Sequence, residues 1–171
     1  MGTRRWSQQR HTVRAGIIGF VVVVGYAVVG ALQILAWNPL AAVPGATLGE
    51  IHARLEQMNE TLAAPLVLAW AVIGTALAAA VLFAAVKGSI PRARGVVVLD
   101  LLILVLAAPS HWFASFPAGM GIADAYGTTG GDHAPWGMVL YAMSAAALMA
   151  LIVFLVVGAL AAWRGRPRTA R

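Results

Sequence analysis

Four long apolar runs, separated by short polar segments, limit this chain to one class of architecture. They cover residues 15–37, 62–86, 95–113 and 136–163. An α-helix rises about 1.5 Å per residue, so about 20 apolar residues reach across the hydrocarbon core of a bilayer. A spanning segment must also satisfy its own backbone N–H and C=O groups, which for uninterrupted apolar runs means a helix. The sequence therefore predicts an all-α integral membrane protein, a four-transmembrane-helix bundle in contact with the lipid bilayer, with residues 1–171 forming a single membrane domain. Trp37, Trp112, Trp136 and Trp163 stand at or near the ends of the runs, where amphipathic rings prefer the interface. The first run exceeds the apolar stretch of a cleaved signal peptide and is expected to stay in place.

Charge supplies an orientation. Only 11% of the residues are charged, against about 25% in a soluble domain. Eleven of the 12 basic residues fall in three segments: Arg4, Arg5, Arg10 and Arg14 before the first run, Lys87, Arg92 and Arg94 between the second and third, and Arg164, Arg166, Arg168 and Arg171 after the fourth. Only Arg54 lies on the other side. The positive-inside rule then places both termini in the cytoplasm. Glu50, Glu56, Glu60, Asp124 and Asp132 fall on the opposite, outer side. The net charge of +6 is thus a signature of topology, and no nucleic-acid partner is expected. The preference for Arg over Lys, with abundant Ala, Val and Gly, is that of a GC-rich bacterial genome, so the expected location is the plasma (inner) membrane. The absence of cysteine excludes disulfides, thiolate metal sites and thiol redox chemistry.

The first outer segment predicts an amphipathic helix over 48–60. Thr47 and Glu50 have the spacing of a capping box, and Leu48, Ile51, Leu55, Met58 and Leu62 recur at helical steps. Its apolar stripe either packs on its own protein or docks a partner helix. The second outer segment, 114–135, is rich in Gly and reads as a long ordered loop. Stripes of small residues at four-residue spacing, Ala76, Ala80 and Ala84 in the second run and Ala142, Ala146 and Ala150 in the fourth, mark those two helices for close packing. The third run, by contrast, reads as the most lipid-exposed, apart from the face carrying Asp100.

Asp100 is the sole acid inside a run, roughly 9 Å into the helix when counted from Arg94. An intramembrane acid is costly and is a functional candidate unless it is paired; Arg14 or Arg164 can reach it by snorkelling. His111, Asp124, Asp132 and His133 carry metal-binding chemistry at the outer side, although their spacing matches no standard metal signature. Each also has a structural role available: Asp132 as the N-cap of the fourth helix with Pro135 in its first turn, and His111 beside Trp112 as an interfacial anchor. Gln33 and Asn38 are expected at the interface. Pro109 takes one hydrogen bond from the third helix and marks a kink or its end.

No catalytic, nucleotide-binding or metal motif is strong enough to name an activity, and no catalytic residue or cofactor is expected. The function expected first is that of a non-enzymatic accessory or assembly subunit whose outer face recognises a membrane-protein partner or a second copy of the chain. One alternative is a small transporter or ion-coupled carrier using Asp100. Another is an outer-face metal or haem binder using His111 and His133.

Overall fold

The computed structural model describes residues 2–164, with side chains from Gln8 onward. The tail arginines Arg4, Arg5, Arg166, Arg168 and Arg171 lie outside the residues whose side chains it describes. The protein is a helical membrane bundle. Among the described residues, four helical segments are long and apolar enough to cross a membrane: Gln8–Ala42, Ala64–Val86, Ala93–Tyr126 and Trp136–Arg164.

The first segment is compound. Helix α1 (Gly2–Leu32) passes through a π turn, Gln33–Trp37, into the short α2 (Asn38–Ala42). Pro39 accounts for the wider turn. It has no N–H to offer and its ring crowds the preceding turn, and the Asn38 N–H donates to the Gln33 carbonyl five residues back. π turns concentrate at functional positions, and this one carries Gln33 and Asn38, both buried.

Helix α3 (Leu48–Gln57) begins at the expected capping box: the Thr47 hydroxyl accepts from the Glu50 N–H, and the Glu50 carboxylate accepts from the Thr47 N–H at 2.7 Å. The backbone and hydroxyl bonds from Thr47 hold the Glu50 carboxyl below the usual carboxylate range. Ile51 and Leu55 of the stripe are fully buried against Ile34, Val67, Ala118 and Ile122. Each such burial stabilises the fold by roughly 1.5–3 kcal/mol. The apolar face of α3 is therefore covered by its own protein.

Helices α4 (Ala64–Val86), α5 (Ala93–Tyr126) and α6 (Trp136–Arg164) complete the bundle. α1 packs against α4, α5 and α6, and α5 packs against all three as well. The buried share of the spanning window is 28% for the first segment and 22% for α5, against 11% each for α4 and α6. This reverses two expectations. α5 is an inner helix, because its polar residues Asp100 and His111 and its small residues Ala114, Ala118 and Gly121 share one buried face. The alanine stripes instead lie largely outward, with Ala76, Ala80, Ala142, Ala146 and Ala150 exposed. Ala78, Ala85 and Ala147, on other faces, make the close contacts.

The expected loop over 114–135 is also corrected. α5 runs through Pro109 and Pro117 to Tyr126, where Gly127 caps it at φ +67° and donates to the Ala123 carbonyl. The Ser110 hydroxyl, which donates to the carbonyls of Leu106 and Ala107, occupies acceptors in the turn that Pro109 disturbs. The glycines that suggest a loop serve as contact points instead: a Cβ on Gly119 would strike the backbone of Gly130. The connection to α6 is correspondingly short.

Candidate functional site

The buried face of α1 steps through Gly16, Gly19, Val23, Tyr26, Gly30 and Gln33, at alternating spacings of three and four. The polar groups of the other helices meet this line at successive levels. Nearest the basic end stands Asp100, 6% exposed, with both carboxylate oxygens lacking a hydrogen-bond partner. It packs directly against Gly19. A Cβ there would collide with the carboxyl group, so the position accepts only glycine without rearrangement. The expected ion pair with Arg14 or Arg164 is not formed: both arginines are exposed, Arg14 on a surface groove beside Arg10. Arg94, the basic residue nearest in sequence on α5, places its guanidinium over the Phe154 ring, 6.0 Å from the centroid.

At mid-depth the Ser144 hydroxyl donates to the Tyr26 oxygen at 3.1 Å. Beside it, a groove of about 600 Å³ opens between α4 and α5, with Tyr26, Trp70 and Ser110 as the polar members of an otherwise apolar lining. Trp70 Nε1 donates to Ser110 Oγ at 3.0 Å, so neither half-buried polar tip is left bare.

His111 comes next, about 16 Å beyond Asp100 along α5. It is no interfacial anchor: its relative exposure is 0%. Its ring packs on Gly30 of α1, on Trp70 of α4 with centroids 5.4 Å apart, and on Tyr141 of α6 at 5.8 Å. All four spanning segments thus meet at this imidazole. Neither ring nitrogen makes a well-formed hydrogen bond to a described residue, and the Gly30 backbone is the polar group closest to hand.

At the α3 end, Gln33 and Asn38 hold the connection to α6. Asn38 Oδ1 accepts from the N–H groups of His133 at 2.6 Å and Ala134 at 3.3 Å. Gln33 Nε2 donates to Asp132 Oδ1 and to the Ala134 carbonyl, both at 3.4 Å. Expected at the interface, these two amides are the pins of a buried joint. Their significance is hard to read from sequence, because only the π turn and the return of the chain at 131–134 bring partners to them. α6 begins at Trp136, so Asp132 stands too early to be its N-cap and instead lays its carboxylate over Gly137.

The four metal-type residues do not converge. Asp124 is exposed on α5, His133 bonds Thr129 Oγ1 at 3.3 Å, and His111 is buried. Among the described residues no group of three or more His, Asp or Glu side chains gathers in a way that would hold a metal ion. The chain matches no family model, no curated protein and no solved structure.

Proposed function

We propose that this protein is a small proton-translocating carrier of the plasma membrane, with both termini cytoplasmic, in which Asp100 binds and releases the transported proton. The observation that carries the proposal is the carboxyl group of Asp100, buried against Gly19 with no partner for either oxygen. A lone carboxylate in low dielectric needs a counter-charge, and with no cation among the described side chains beside it a proton serves that need. Acid and imidazole groups in series mark proton pathways through membranes, and Tyr26, Ser144 and His111 continue from Asp100 along the same face of α1. The pocket is closed in this conformation, so exchange requires α1 and α5 to part at Gly19. The orientation rests on the eleven basic residues of the two tails and of the connection between α4 and α5. A docking role for α3 is disfavoured, because Ile51 and Leu55 are already buried within the protein.

The test is proton flux in liposomes containing purified protein, with a trapped pH dye and an imposed pH gradient. The expected result is a flux that falls at least tenfold in Asp100→Asn, with thermal unfolding unchanged. Equal rates for wild type and variant overturn the proposal.

A further inference from the structure

We infer that His111, Gln33 and Asp132 enclose a bound-water site that joins the buried imidazole to the aqueous face at the α3 end. The inference begins with unmet valences. The Gln33 side chain is oriented by two acceptors, Asp132 Oδ1 and the Ala134 carbonyl, so its NH₂ must face them. Gln33 Oε1 is then turned away, fully buried, with no donor. His111 contributes the matching deficit: a neutral imidazole has one N–H donor and one acceptor nitrogen, both buried here without a well-formed bond, and the Gly30 backbone can serve only one of them.

These orphans are neighbours. His111 packs on Gly30, and Gln33 follows three residues later on the same face, where α1 passes into the π turn. A buried unpaired polar group costs about 1–3 kcal/mol, and sites with several such groups are where internal waters reside. One water donating to Gln33 Oε1 and bonding one ring nitrogen of His111 meets two of the three deficits, and the Gly30 backbone lies beside the ring for the third.

The site also has a way out. The Asp132 carboxylate bonds Gln33 on its inner side and is exposed on its outer side. It lines a cavity of about 350 Å³ together with His133, Met138 and Tyr141, and Tyr141 stacks edge-on against His111. A chain Asp132–Gln33–water–His111 therefore leads from the cavity to the bundle centre. That this chain delivers protons toward Asp100 rests on the carrier proposed above; the water site does not.

The experiment is water-edited solid-state NMR of ¹⁵N-histidine-labelled protein in bilayers. In a variant carrying His11→Gln, His52→Gln and His133→Gln, all at exposed positions, His111 is the remaining imidazole and no buried residue is altered. Rapid magnetisation transfer from water to the His111 ring is expected, with exchange of its N–H in D₂O. Adding Gln33→Met, of similar volume without the acceptor, slows that transfer severalfold. A ring that receives no water magnetisation and keeps its N–H in D₂O overturns the water site, as does transfer unaffected by Gln33→Met. A wet His111 in a protein without Asp100-dependent flux removes the carrier and leaves the water site. Flux lost in Asp100→Asn alongside a dry His111 removes the water site alone.

Discussion

Asp100 and Asn38 are polar side chains of similar size, both buried on the shared interior face of the bundle, and they do opposite things. Asn38, at the α3 end, places its carbonyl oxygen on two backbone N–H groups and holds the chain where it returns to α6. Asp100, toward the basic end, lies against α1 at Gly19 and bonds to none of the described residues. A saturated buried polar group adds definition to a fold, whereas an unsaturated one is a cost that the rest of the structure must offset. The difference separates scaffold from candidate chemistry along one helix face.

The comparison can be broken at either site. The largest effect is expected from Gly19→Val, whose Cβ falls on the Asp100 carboxyl group; overpacking of this kind costs about 1–3 kcal/mol. Thermal unfolding in detergent measures it. An unchanged midpoint in Gly19→Val would mean that α1 and α5 are not in contact there. Asn38→Leu follows, also at about 1–3 kcal/mol, since it leaves the part-buried His133 N–H and the buried Ala134 N–H without their acceptor. Its signature is local: hydrogen exchange should accelerate at the His133 and Ala134 amides while the α4 core stays protected.

The smallest effect is expected at Thr47→Ala, about 1 kcal/mol for a lost N-cap. Here the sign of the pH dependence is also fixed. Hydrogen bonds from Thr47 lower the folded-state pKa of Glu50, so the contribution of its carboxylate is complete above the ordinary carboxylate range. It is lost as the pH falls through that lowered value. The first turn of α3 should therefore stay intact through mildly acidic conditions and fray only below them, as read from exchange of the Glu50 amide. Fraying already near neutral pH would contradict the capping geometry.

Much of this fold was legible in the sequence, and the pattern of what was not is informative. The spans follow from hydropathy and length, and α3 follows from Thr47, Glu50 and a helical stripe, all of them local signals. The inner position of α5 was not legible, because its apolar residues look lipid-compatible on every side and only its neighbours decide which face they cover. Pro109, Pro117 and the glycines after them argue for a loop by local preference, yet the helix continues, held by Ser110 and by close backbone packing at Gly119. Asp100 stood out as a lone acid among apolar residues. Gln33, Asn38 and the burial of His111 depend on chain segments far apart in sequence and carried no local mark.

Difference infrared spectroscopy of Asp100 in bilayers tests the central claim most directly. A carboxylic C=O band should appear and disappear with pH in wild type, shift on transfer to D₂O, and be absent from Asp100→Asn. Spectra of wild type and Asp100→Asn that coincide in this region at every pH would show that Asp100 exchanges no proton, and would contradict the account.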